Sequence, residues 1–234
     1  MGGRPEKPVD RTVPARAKLA DFLRDRKASA GLTYQQMSDR ANGLPSKATF
    51  ERAASGACVP SWNTVETFVG ATMSPEELIG SVIAAWARGQ ALWIDARRTT
   101  RAPYYVHKAP DPSLISSRAD LSRSLRDQHV WAGYPSPGEM ERMSRPGELP
   151  SSTCRRIIAG SILPVDVTQA MAFLRACYVV DLDLWLAATT RVLGAKSAER
   201  YVGRTDSIKI KSNMEILTGL LRGTDAVPPL LRAA

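Results

Sequence analysis

The chain has little of what metal, redox or hydrolytic chemistry needs. Its 234 residues include only three cysteines, Cys58, Cys154 and Cys177, with no CxxC spacing and no neighbouring histidine. That pattern argues against a zinc site, and isolated thiols in odd number suit a reducing compartment. The two histidines, His107 and His129, lie outside any triad or metal-ligand spacing. No glycine-rich phosphate loop of the P-loop or dinucleotide type occurs. The acidic pair Glu76-Glu77 has a helix-capping explanation. The expectation is a protein that is not an enzyme, with no catalytic residue, no metal and no cofactor. No apolar run approaches the roughly 18 residues a membrane helix needs, and MGGRPEKPVDRTVPAR has no apolar core of a secretory signal. A cytoplasmic, nucleoid-associated location is expected, with no membrane partner. Aromatic residues make up 6% of the chain and its tryptophans fall at core spacing, which disfavours a platform for stacking single-stranded bases.

What the chain does have is positive charge. Its net charge is +9 and its pI about 9.8, a balance that favours an anionic partner, with nucleic acid ahead of a membrane surface. An arginine-rich composition alone would give the same number. Hydrophobic content of 44% and charged content of 24% are ordinary for a globular chain long enough for one large or two small domains.

The stretch Thr33 to Trp62 organises the rest. Thr33 and Gln36 form a capping box, opening a helix with Met37 and Ala41 on one side. Asn42-Gly43-Leu44-Pro45 breaks it, because proline restricts the residue before it. Ser46 caps a second helix running to Ser55, and Gly56 ends it. Pro60-Ser61 begins a third, with Trp62, Val65, Phe68 and Val69 on its apolar side. In the middle helix Phe50 and Ala53 face inward, and Lys47, Ala48, Thr49, Glu51 and Arg52 face outward. A short helix with a thin, mixed-polar outer face, held by a helix on either side, suits a DNA major groove.

Thr33 to Trp62 resembles the helix-turn-helix of the Cro and phage-repressor superfamily, the XRE-like group. Ser46-x-x-Thr49-Phe50-x-Arg52-x-x-x-Gly56 is similar to its recognition helix. Gly31-Leu32-Thr33-Tyr34 and Gly56 through Pro60-Ser61-Trp62 resemble a group of actinobacterial helix-turn-helix proteins. The likeness covers about Lys18 to Trp86. It implies that Lys47, Ala48 and Arg52 face base edges and that Tyr34 and Thr49 contact phosphates.

Around the central unit, residues 1–14 are rich in proline, glycine and charge and are expected to be flexible. Arg4, Lys7 and Arg11 form either a basic arm on phosphates or a solvated tail. A helix from Ala15 to Ala30 carries Leu19, Phe22 and Leu23. Ser74-Pro75-Glu76-Glu77 opens a fifth, with Leu78, Val82, Ala85 and Trp86 at helical spacing. The first domain is expected over 15–95. From Ala96 to Pro110 no acidic residue occurs, and Arg97, Arg98, Arg101 and Lys108 interleave with Tyr104 and Tyr105. Two prolines there disfavour a continuous helix. The expected linker, 96–113, either lies along DNA with Arg97, Arg98 and Arg101 on phosphates or docks its tyrosines on one domain.

The pattern then returns. Leu121 to Asp127 echoes Leu19 to Asp25, and Ser136-Pro137-Gly138-Glu139-Met140 echoes the first capping box. Thr153-Cys154-Arg155-Arg156 matches Thr49-Phe50-Glu51-Arg52, and Gly160 and Pro164 match Gly56 and Pro60. The offset drifts from 102 residues at Gly31 and Gly133 to 105 at Phe68 and Phe173. A second domain is expected over 114–195, with Ser151 or Ser152 as helix cap. Ser151, Ser152, Arg155 and Arg156 stand at its base-reading positions and Thr153 at a phosphate-contacting one. This copy either reads DNA or packs on a protein partner. The remainder, 196–234, is an extension with one helix from Ser212 to about Arg222, its stripe of Met214, Leu217 and Leu221 serving as core or as a homodimer contact.

The expectation is thus an all-α chain of two tandem five-helix repressor-like domains that binds double-stranded DNA as a transcriptional regulator. A linker of about 17 residues would reach roughly 56 Å, against about 34 Å between successive major grooves on one face. A protein-interaction adaptor or sensor, or a plasmid or replication-origin binder, is the alternative.

Overall fold

The computed structural model describes residues 6–74, 76–101 and 108–194. Among these the chain is entirely helical, with ten α-helices and no strand. It divides into two compact units, with the boundary between Thr100 and Arg101.

The first unit opens with α1 (Pro14–Ser29), where proline starts the helix and Leu19, Ala20, Phe22 and Leu23 are buried. Leu32 lies between Gly31 (φ 63°) and α2 (Tyr34–Arg40). The capping box is formed as its residues suggest: Thr33 Oγ1 accepts from the Gln36 backbone N–H at 3.2 Å, and Gln36 Oε1 accepts from the Thr33 N–H at 2.8 Å. Asn42 (φ 54°) and Gly43 (φ 80°) turn the chain into α3 (Lys47–Ala53), capped by Ser46. Ser61 likewise caps α4 (Trp62–Ala71), whose Val65, Phe68 and Val69 face inward. Phe50 of α3 meets Phe68 edge-on, with centroids 5.3 Å apart.

The fifth helix starts later and ends later than its sequence suggests. Helix α5 spans Ile79–Arg101. The Glu77 carboxylate accepts from the Ser74 backbone N–H. It also takes two bonds of 2.7 and 3.0 Å from Arg26 of α1, and Leu78 lies outside the helix and is largely exposed. At the other end α5 runs through the expected linker to Arg101, two residues before Pro103. Prolines at 103 and 110 limit where that helix stops but do not prevent Ala96 to Arg101 from extending it. The flexible arm is corrected as well. Residues 1–5 lie outside the described residues, but 6–13 lie along the first unit. The Asp10 N–H donates to the Ser55 carbonyl at 2.8 Å, and Arg11 makes a two-bond pair with Asp21 at 3.0 and 3.1 Å.

The second unit begins with a short 3₁₀ turn, Pro112–Leu114, then α6 (Arg118–Trp131), α7 (Pro137–Arg142), α8 (Ser151–Ile158), α9 (Val167–Ala176) and α10 (Asp183–Leu193). Ser136 and Glu139 form the second capping box, and Asp166 caps α9 where Ser61 caps α4. The expected cap of α8 is absent. Pro150 takes the N-cap position and neither Ser151 nor Ser152 bonds a free amide. Positions paired in sequence share their environments: Leu19 and Leu121, Leu23 and Leu125, Met37 and Met140, Phe50 and Cys154, and Phe68 and Phe173 are all essentially fully buried. Gly43 and Gly147 (φ 80° and 77°) and Gly56 and Gly160 (φ 77° and 74°) take left-handed conformations that other residues resist. The extension 196–234, with its expected helix and homodimer stripe, lies outside the described residues.

Two carboxylates tie stability to acid. Arg26 holds Glu77 below the usual carboxylate range. Asp120, accepting from Ser117 and Ser116 at the head of α6, is lowered to about 2. A depressed folded-state pKa adds stability above the unfolded value, near 4, which is lost as pH falls through the folded value. The melting temperature is expected to drop between pH 4 and pH 2 in a thermal scan, and Asp120→Asn should flatten that drop. Glu77→Gln is expected to lose about 2 kcal/mol at neutral pH by urea unfolding, because it removes a two-bond charged pair.

Candidate nucleic-acid interface

The outward faces of α3 and α8 carry exposed arginines, Arg52 in one and Arg155 and Arg156 in the other. A helix of seven or eight residues has no stability of its own in water, so each is held by its neighbours. In α3 the anchors are Phe50 and Ala53, both buried, with Ala54 just behind. That leaves Lys47, Ala48, Glu51 and Arg52 exposed and Thr49 half-buried. Lys47 lies 3.8 Å from Glu51 one turn on, a solvated pair of small energetic weight. The Thr49 hydroxyl sits 3.1 Å from that of Ser46, at the head of the helix. The Arg52 guanidinium has no hydrogen bond or ion pair among the described residues.

In α8 the anchors are Cys154 and Ile157. Ser152, Arg155 and Arg156 are exposed, and Ser151 and Thr153 are half-buried. Neither arginine is paired among the described residues. Arg155 stands where Glu51 stands in α3, so the second face has no acid at that point. Burial raises the Cys154 thiol to about 11 and pushes Cys177 well above its ordinary value, which disfavours both as nucleophiles or metal ligands. Among the described residues no cluster of His, Cys, Asp or Glu could hold a metal ion, and no helix is long and apolar enough to cross a membrane.

Four residues expected on phosphates are otherwise engaged. Tyr34 has its ring buried edge-on to Phe68, and its hydroxyl donates to the Glu6 carboxylate. Arg97 is buried with its guanidinium 4.5 Å from the Trp93 ring centroid. Arg98 pairs with Asp95 at 2.6 Å, one turn earlier in α5. Arg101 donates to the carbonyls of Gly133 and Tyr134. For the three arginines the reason is that α5 continues through 97–101, where helical spacing turns them onto protein rather than along an open strap.

One arrangement escaped the sequence. Glu6 lies against Arg24 and Lys27 at 3.1 and 3.2 Å, as well as against Tyr34. Nothing in local spacing signals this, since the partners are 18 to 28 residues away. The same N-terminal segment backs α3: Val9 and the Asp10 carbonyl stand so close to Gly56 that a Cβ there would meet that oxygen at 2.6 Å.

If the faces of α3 and α8 are free of structural duty, Arg52→Ala, and Arg155→Ala with Arg156→Ala, should change folding stability by no more than about 0.5 kcal/mol. Phe50→Ala, which empties the anchor, should lose about 3–5 kcal/mol. Urea unfolding of the variants checks both. No family model, curated protein or solved structure matches the chain.

Proposed function

We propose that the chain is a sequence-specific double-stranded DNA-binding protein, a transcriptional regulator of the XRE-like helix-turn-helix kind, with two tandem repressor-like domains. Helices α3 and α8 enter adjacent major grooves. Lys47, Ala48 and Arg52 face bases in one groove, and Ser152, Arg155 and Arg156 in the other, with Ser151, Thr49 and Thr153 at the groove edge. Phosphate contacts position the protein and base contacts specify the site.

The observation that carries this reading is a paired one. In each unit a short helix after a capping-box helix is pinned by two buried residues and turns outward a face whose arginines, Arg52 in one and Arg155 and Arg156 in the other, have no carboxylate partner among the described residues. An arginine held free on a thin helix suits bidentate contact with guanine in a major groove. The net charge of +9 supports the same partner. Within the two helices the one acidic residue is Glu51, and it lies 3.8 Å from Lys47.

Binding to random duplex should weaken steeply with salt, the logarithm of affinity falling linearly against the logarithm of salt concentration. Selection of bound duplexes from a random pool should yield a motif, and Arg52→Ala and the Arg155→Ala, Arg156→Ala pair should each relax a different part of it, by about 1–3 kcal/mol per lost base contact. Retention of the full motif by both variants would remove α3 and α8 from the interface. Absence of binding to any duplex at low salt would favour a protein-recruiting adaptor instead.

A further inference from the structure

The Glu6 carboxylate lies among two cations and one hydroxyl donor from two helices. Arg24 Nε approaches Oε1 at 3.1 Å, Lys27 Nζ approaches Oε2 at 3.2 Å, and the Tyr34 hydroxyl donates to Oε1. Lys27 Nζ also lies 4.4 Å from the centre of the Tyr34 ring. The pocket is partly sheltered, with Arg24 and Lys27 side chains 21% and 19% exposed. The helices supply the cations and the hydroxyl. The carboxylate comes from a strap with a backbone of its own to rest on: the Lys7 carbonyl accepts from Arg24 Nη2 at 2.8 Å, and the Asp10 N–H is fixed to Ser55. Glu6 can therefore leave while Asp10 stays.

This set of groups fits a tetrahedral oxyanion as well as a carboxylate. Two cations and a hydroxyl converging on adjacent oxygens is the donor chemistry by which proteins hold phosphoryl groups. The pocket also touches α3. Arg24 Nε donates to the Ala54 carbonyl at the end of that helix at 2.8 Å, and the Glu51 charge is felt at the Tyr34 hydroxyl, whose pKa is raised by burial first and by Glu6 next.

We propose that Arg24, Lys27 and Tyr34 form an anion pocket for a phosphoryl oxyanion, filled in cis by Glu6 until such a ligand displaces it. The ligand is either the phosphodiester of a duplex bound by α3 or free phosphate. In the first case Glu6 is a built-in competitor: it lowers affinity for every duplex alike and leaves sequence preference untouched. The duplex case rests on the DNA-binding reading, and the free-phosphate case does not.

Two measurements on the full chain separate these possibilities. The first is thermal unfolding with inorganic phosphate, against chloride at matched ionic strength. Glu6→Gln should gain stability in a saturable way, about 5 °C at tenfold excess over its Kd, while the unsubstituted chain gains clearly less and Glu6→Gln with Lys27→Gln gains none. Equal gain by the unsubstituted chain and Glu6→Gln would overturn the pocket. The second is duplex binding across salt. Glu6→Gln should bind several-fold more tightly at low salt, with a slope steeper by about 0.9, one added phosphate contact. A phosphate response with no change in slope would assign the pocket to free phosphate. A phosphate response with no duplex binding by either protein would sink the DNA-binding reading and leave the pocket standing. Glu6→Asp, shorter by one methylene, keeps the charge of the segment but withdraws it from the donors. It should shift both readouts the same way by less, and it serves if Glu6→Gln does not fold.

Discussion

The structure depends on the burial of one side chain in the middle of each short outer helix. Phe50 under Phe68 fixes the rotation of α3 about its own axis, and Cys154, with Ile157, does the same for α8. A helix of two turns cannot choose its orientation by propensity, so the anchor decides which residues face water. Once Phe50 is inside, Arg52 and Lys47 must be outside. The outer face is in that sense a consequence of the core, and it has the rigidity of the core behind it.

The two units reach this arrangement with different residues. Phe50 and Ala53 in one become Cys154 and Ile157 in the other, a large and a small residue exchanged along the helix, the kind of swap that keeps filled volume while moving it. Ser46 becomes Pro150, so α8 begins without the side-chain bond that starts α3. On the outside, Lys47 and Glu51 give way to Ser151 and Arg155, so one face is mixed in sign and the other cationic. Two such faces would not select the same bases.

Much of this was legible in the sequence because it is local. Thr33 with Gln36, and Ser136 with Glu139, are three residues apart, and both capping boxes form. Glycines at 31, 56, 133 and 160 stand where helices end and take positive φ. Buried residues at spacings of three and four marked the inner faces of α1, α3 and α4. What was not legible depends on partners far along the chain. Glu77 looked like a partner of Ser74 and does accept from it, but nothing local announced Arg26, 51 positions earlier, which also pairs with it. Arg97 looked like part of a basic strap until the Trp93 ring gave it a place inside. Tyr34 looked available because nothing near it in sequence announced Glu6. A charged or phenolic group is exposed in a sequence reading by default, and only the fold supplies the counter-group that takes it out of solvent.

The claim that two pinned helices in one chain each read a groove is tested most directly by guanine-methylation interference on a duplex selected for tight binding, with a single chain per duplex. The account predicts two clusters of interfering guanines about one helical turn apart. Arg52→Ala should erase one cluster, and Arg155→Ala with Arg156→Ala the other. A single cluster, or two that persist in both variants, would contradict it.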